Sequence, residues 1–183
     1  MGRVYHSIRM LLCNSSAQRA DYIREHNLFK HVGENCTFMF RKIPLYGQLI
    51  YVGNNVHFAS NVTLVTHDAI HLMLSRSLGR KTNERVGCIY IDDNVFIGAN
   101  STILYDTYIT NDVIIGANSL VNKSIEKSGV YAGVPVKYLC SIEEFVEKRK
   151  NNTGINKSSK IGSITHKELE ECWFLFNKKI EEK

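Results

Sequence analysis

The 183-residue chain is 44% apolar and carries a formal net charge of +5, which suits one good core with appendages and is too short for two large domains. Five cysteines, Cys13, Cys36, Cys88, Cys140 and Cys172, are odd in number and form no CxxC pair, so neither a disulfide framework nor a zinc ribbon is indicated and a reducing cytoplasm is expected. The apolar run Met10 to Leu12 falls short of a secretory leader, no stretch approaches membrane-spanning length, and no basic block is interleaved with aromatics; these exclude a membrane span and a nucleic-acid groove, and leave either a small anionic ligand or a solvated basic surface.

Residues 1–30 read as a helical cap, because Ile8, Leu11 and Leu12, then Tyr22, Ile23 and Leu28, recur at roughly helical spacing without proline. From Val32 a six-residue rhythm begins, reaches Phe38 and slips through Pro44 and Gly47. It resumes as Val52, Phe58 and Leu64, with Val56 and Val62 four places on and Asn55 and Asn61 at the intervening corners. The next corner position in that frame is His67, where every other corner of the regular run has Asn, Asp or Ser. Between Leu64 and Ile91 lie 27 residues (91 − 64), which is no multiple of six, so the segment from about Asp68 to Cys88 must be ejected as a loop.

The rhythm is clearest from Ile91 to Ile125. Isoleucine or valine falls every sixth residue at Ile91, Ile97, Ile103, Ile109, Ile115 and Val121. A helix needs an apolar period near 3.6 and an ordinary strand one near 2, so a period of six predicts a solenoid of short flat strands joined by corners. Asn94, Asn100, Asp106, Asp112 and Asn118 suit those corners, because short polar side chains tolerate left-handed backbone. If three units close one coil, residues eighteen apart stack, with Ile91 beside Ile109, Ile97 beside Ile115 and Ile103 beside Val121. Beyond the run, Pro135 ends the ladder pairing because it lacks an amide hydrogen. Ser141-Ile142-Glu143-Glu144 opens a helix through about Lys150, residues 151–163 form a polar linker, and a second helix runs from about Thr165 to Ile180 with Leu169, Cys172, Trp173 and Phe176 on one face.

This pattern resembles the hexapeptide-repeat, left-handed β-helix acyltransferases, and more narrowly the branch that contains sugar, antibiotic and polysaccharide O-acetyltransferases. The resemblance covers roughly residues 30–140. It implies an all-β solenoid, a left-handed parallel β-helix over 31–140 with the loop 68–88 extruded, between an N-terminal cap at 1–30 and a C-terminal helical extension at 141–183. It further implies acetyl-CoA as acyl donor, a hydroxyl acceptor, no metal, and a homotrimer with sites at the subunit interfaces, reached by the apolar loop tip Leu72, Met73, Leu74 and Leu78.

His67 in Val65-Thr66-His67-Asp68 is similar to the Thr-His corner whose histidine is the family's general base, and an imidazole with pKa near 6.5 can take a proton from an alcohol attacking a thioester. His71 is the fallback base or an acceptor contact. Asn61 and Asn35 could touch an acceptor hydroxyl, although both also suit corners. Phe96 stands where related enzymes often carry Trp, at a wall of the acyl and pantetheine groove. Ala99 and Ala117, eighteen apart on one outer edge, would let a thin ligand approach the backbone, and small residues would equally serve to keep coils close. Lys123 and Lys137 match basic positions near the coenzyme phosphates. His57 faces either a cleft or solvent. His57 and His67 are ten residues apart, off the eighteen-residue stacking distance, which disfavours a zinc site like those of some β-helix carbonic anhydrases. Compared with sugar acetyltransferases the chain lacks about one coil before the loop, so their acceptor pocket does not carry over. The expected activity is O-acetyl transfer to a sugar, a polysaccharide intermediate or an antibiotic. N-acylation of an amino sugar and a non-catalytic assembly module are the rivals.

Overall fold

A computed structural model describes residues 2–150, 154–155, 157, 160 and 162–181. Most of the expected linker at 151–163 lies outside the described residues. The chain forms two compact units, Met1–Ile142 and Glu143–Lys183.

The first unit opens with helices α1 (Arg3–Leu11) and α2 (Ser16–Glu25). They are separate because Ser15 caps α2, accepting from the Gln18 amide at 3.0 Å, while the Gln18 side chain returns to the Asn14 amide at 2.7 Å. Fifteen short strands follow in the unit: β1 (His31–Val32), β2 (Thr37–Phe38), β3 (Ile50–Val52), β4 (His57–Phe58), β5 (Thr63–Val65), β6 (His67–Asp68), β7 (Arg85–Val86), β8 (Ile89–Ile91), β9 (Val95–Ile97), β10 (Thr102–Leu104), β11 (Thr107–Ile109), β12 (Val113–Ile115), β13 (Leu120–Val121), β14 (Gly129–Ala132) and β15 (Lys137–Cys140), with helix α3 (Ile70–Leu78) between β6 and β7.

Strands of successive turns pair in parallel in three sheets. One holds β1, β3, β8 and β11, a second β2, β4, β9, β12 and β14, and a third β5, β10 and β13. The chain visits the three in rotation, so each complete turn contributes one rung to each face, while the first turn, with β1 and β2, has none in the third sheet. Register follows the arithmetic of the repeat: Ile91 pairs with Ile109, Ile97 with Ile115 and Ile103 with Val121. Val52 lies beside Ile91, Phe58 beside Ile97 and Leu64 beside Ile103, each 39 residues apart, which is one turn of eighteen plus an excursion of 21. Val32 lies beside Val52, twenty apart, so the slip through Pro44 and Gly47 inserts two residues.

The inward residues are buried without exception, Val95, Ser101, Thr107, Val113, Ser119 and Ile125 among them. Each fully buried aliphatic side chain contributes about 1.5–3 kcal/mol of transfer free energy, so the column is stabilised rung by rung. Left-handed backbone falls at Asn35, Asn55, Asn61, Asn94, Asn100, Asp106, Asp112 and Asn118, with φ between 54° and 59°. These side chains also bond along the prism edges: Asn55 Nδ2 donates to Asn94 Oδ1 (2.9 Å), Asn94 Nδ2 to Asp112 Oδ1 (3.0 Å) and Asn61 Nδ2 to Asn100 Oδ1 (3.2 Å).

Both ends of the column would expose unpaired main chain. At one end the buried Arg19 of α2 donates through Nε to the Phe38 carbonyl (2.6 Å), and Arg24 donates to the carbonyls of Val32 (3.0 Å) and Gly33. At the other, the chain after Pro135 reverses, and β15 pairs antiparallel on β14. Pairing therefore continues past Pro135, with changed direction.

Two expectations need correction. His67 is not a left-handed corner: it is extended in β6, paired antiparallel with Val86, because the chain leaves the coil where the corner would have been. The ejected segment is also no plain loop, since nine of its residues form α3, closed by Gly79 in the left-handed conformation (φ 61°) that commonly ends helices.

The second unit contains α4 (Ile142–Lys150) from Glu143 onward, and α5 (His166–Glu181). Thr165 and Glu168 form the expected capping box, with the Thr165 amide donating to the Glu168 carboxylate at 2.8 Å and the Glu168 amide to Thr165 Oγ1 at 3.3 Å. The rings of Trp173 and Phe176 meet edge to face at 5.7 Å.

Candidate active site

The longest excursion from the coil lies between Thr66 and Gly87. The Gly87 amide bonds the Thr66 carbonyl at 2.9 Å, and the buried Thr66 hydroxyl donates to the Leu45 carbonyl. His67 is the first residue outside this closure. It is half-buried, its Nδ1 is covered, and no hydrogen-bond partner reaches that atom. Burying an unpaired polar atom costs about 1–3 kcal/mol, so such atoms in native folds call for an explanation. The Tyr46 ring stands edge-on to the imidazole, centroids 5.4 Å apart. Tyr46 itself has φ 55°, a backbone conformation that bulky residues rarely adopt.

Around His67 the root of the ejected segment is tied to the prism by side chains. Tyr46 Oη donates to both Glu84 carboxylate oxygens (3.2 and 3.3 Å), which pushes the phenol pKa up. Tyr105 Oη donates to Asp68 Oδ2 at 2.6 Å, and the Ile70 amide donates to the same carboxylate at 3.1 Å; the phenol is the larger reason that the Asp68 carboxyl is held below the usual range. Arg85 bonds Asp106 at 3.1 Å and lies over the Tyr105 ring, 5.2 Å from its centroid. Tyr46, Glu84 and Tyr105 escape sequence reading because each meets its partner across 37 or 38 residues, a separation with no periodic signal.

The other expected residues are spread over the prism. His71, on α3, is half-buried and also has a covered, unpaired Nδ1. His57 points outward on the second sheet, with Nδ1 at 2.8 Å from the Thr37 hydroxyl and Nε2 at 2.9 Å from Asn55 Oδ1. Phe96 is its cross-strand neighbour and is exposed. Ala99 and Ala117 do share an edge: the Asn118 amide bonds the Ala99 carbonyl at 2.8 Å. A Cβ on Gly98 would lie 2.4 Å from the Ala117 nitrogen, so close coil approach alone requires the small residue there. Lys123 and Lys137 are exposed, at the far end of the column from the helical cap. Asn35 and Asn61 are corner residues. Asn61 also lines a cleft of about 620 Å³ with Arg3, Arg41, Lys42, Thr63 and Leu64, a cleft whose lining does not include His67. Among the described residues no three His, Cys, Asp or Glu side chains gather as a metal site, and no helix is long and apolar enough to cross a membrane.

Parallel rungs eighteen residues apart, joined at Asn-lined corners, define a hexapeptide-repeat protein. The family described as bacterial transferase hexapeptide (six repeats) matches residues 89–123. Protein CapG of Staphylococcus aureus is 35% identical over 129 residues, 69% of this chain and 74% of CapG. Galactoside O-acetyltransferase of Escherichia coli (strain K12) is 34% identical over 116 residues, 62% of this chain and 55% of the relative. The chain thus spans little more than half of that enzyme's length. Among solved structures, a maltose O-acetyltransferase from Clostridium difficile 630 aligns with TM-score 0.53 and 27% identity, over 76% of this chain and 86% of that one. The chain belongs to the hexapeptide-repeat acyltransferase family.

Proposed function

We propose that the protein is an acetyl-CoA-dependent O-acetyltransferase built on a left-handed parallel β-helix, with His67 as general base. The observation that carries this reading is the His67 imidazole, half-buried where the chain leaves the coil at Thr66, with Nδ1 covered and unpaired. The named O-acetyltransferase relatives support the same chemistry. In the reaction the acceptor hydroxyl oxygen attacks the thioester carbonyl and His67 takes the hydroxyl proton. The tetrahedral intermediate collapses, the C–S bond breaks, and the leaving thiolate receives a proton as the ester forms. No acyl-enzyme is needed. Tyr46, edge-on to the ring, restricts its orientation, and the Asp68–Tyr105 and Arg85–Asp106 contacts hold the root of the segment that carries it.

Donor binding follows the outer edge at Ala99 and Ala117, with Phe96 against the acyl arm and Lys123 and Lys137 toward the coenzyme phosphates as mobile point charges. Exposed apolar side chains of α3, Leu72, Met73, Leu74 and Leu78, dock on a second subunit of a homotrimer, with His71 as fallback base or acceptor contact and one of the corner residues Asn61 or Asn35 facing the acceptor. His67→Ala lowers turnover by about 10² or more while the melting temperature and its rise with acetyl-CoA are kept. Unchanged turnover in thiol-release assays would remove His67 from the mechanism. A preference for amino over hydroxyl acceptors in the same assay would favour N-acylation instead.

A further inference from the structure

The third sheet begins only with β5, because in the first turn residues 39–46 are irregular where a rung would stand. The 620 Å³ cleft lies at that missing rung, between residues 39–44 and 60–64, with Arg3 of α1 beside it. Its lining contains three cations, Arg3, Arg41 and Lys42, and no carboxylate. Among the described residues Arg3 and Lys42 form no ion pair. Arg41 is otherwise engaged, donating to the Leu11 carbonyl at 3.2 Å, which ties α1 to this wall. Thr63 and Asn61, whose Nδ2 donates to Asn100 Oδ1 at 3.2 Å, share the lining with apolar residues such as Leu64 and Ile43. Its volume is that of a small-molecule site, and unpaired cations over an apolar, hydroxyl-bearing wall are complementary to a sugar that carries phosphate.

Both strands of chain that line the cleft lead to His67. Pro44 is followed by Leu45, whose carbonyl holds Thr66, and by Tyr46, whose ring meets the imidazole. Leu64 precedes His67 by three residues of extended chain, about 10 Å at roughly 3.3 Å per residue.

We infer that this cleft binds the phosphate of a phosphorylated saccharide acceptor and so presents a ring hydroxyl toward His67. The inference rests on the proposed acetyl transfer for its second half only; phosphate binding in the cleft stands by itself. The test compares glucose, glucose 1-phosphate and UDP-glucose, by thermal shift and calorimetry without donor and then as acceptors in thiol-release assays. Phosphorylated ligands bind and neutral glucose does not, and Lys42→Gln and Arg3→Gln each weaken that binding at least about tenfold, the loss expected when one charge-assisted hydrogen bond is removed. Lys42→Arg restores it. In turnover the two Gln variants raise the KM of the phosphorylated acceptor and leave the KM of acetyl-CoA unchanged. A tighter response to the sugar monophosphate than to UDP-glucose assigns the site to a terminal phosphate ester, and the reverse order assigns it to a diphosphate. Equal binding of glucose and its phosphates overturns the inference while leaving the acetyltransferase reading intact. A rise in the KM of acetyl-CoA in the Gln variants also overturns it, because the cleft then serves the donor. Absence of any acetyl-CoA response, with phosphate binding kept, counts against the enzymatic reading alone.

Discussion

The stacked turns from Ile89 to Val121 and the segment ejected between Thr66 and Gly87 are held by different kinds of contact. In the turns, every rung meets the same neighbours eighteen residues away, so one apolar side chain per unit and one Asn or Asp per corner recur with the same job. In the ejected segment nothing repeats. Its root is fixed by single pairs, Tyr46 with Glu84, Asp68 with Tyr105 and Arg85 with Asp106, and α3 turns five large apolar side chains outward. Stability is thus concentrated in the prism, and the His67 imidazole sits where the regular packing stops.

The difference can be sharpened by breaking each region in turn. Ile97 is fully buried between Phe58 and Ile115, and Ile97→Ala loses both its transfer energy and the filled space, about 2–5 kcal/mol in urea unfolding. Ser77→Ala on α3, at an exposed polar position outside the apolar docking set, shifts the same midpoint by less than about 0.5 kcal/mol. A core variant no more costly than the α3 variant would refute the division.

Corner substitutions come next. Asn94 has φ 59° and hydrogen bonds to both Asn55 and Asp112. Asn94→Ala costs about 1–2 kcal/mol, the penalty of placing a Cβ residue in left-handed backbone, whereas Asn94→Gly loses less because glycine adopts that region freely. Thermal melts of the two variants separate conformational strain from lost side-chain bonds.

The smallest effect falls on the ejected segment. Tyr105 bonds the ionised form of Asp68 and depresses its pKa, so the anchorage is complete above the usual aspartate value near 3.9 and is lost as pH falls through the lower, folded-state value. Amides of α3 in the wild type therefore exchange hydrogen faster, relative to their intrinsic rates, only below about pH 4. Tyr105→Phe raises their exchange at neutral pH, with the exchange of β8 to β12 unchanged. Exchange that is insensitive to both changes would show that Asp68 and Tyr105 do not hold the segment.

The sequence by itself determined the stacked turns, the residues that fill them and the corners that join them, because a period of six is a local regularity that close packing repeats at every rung. It also located the break, by the arithmetic of 27 residues between Leu64 and Ile91. Only the tertiary structure decided that His67 is extended instead of folded into a corner, that Tyr46 flanks it, that the ejected segment is helical, and that the first turn leaves a cationic cleft in place of a rung. Apart from the helix, which is local, the physical reason is separation along the chain: these features arise from pairs some 20 to 40 residues apart that meet once, and a contact made once leaves no period to read.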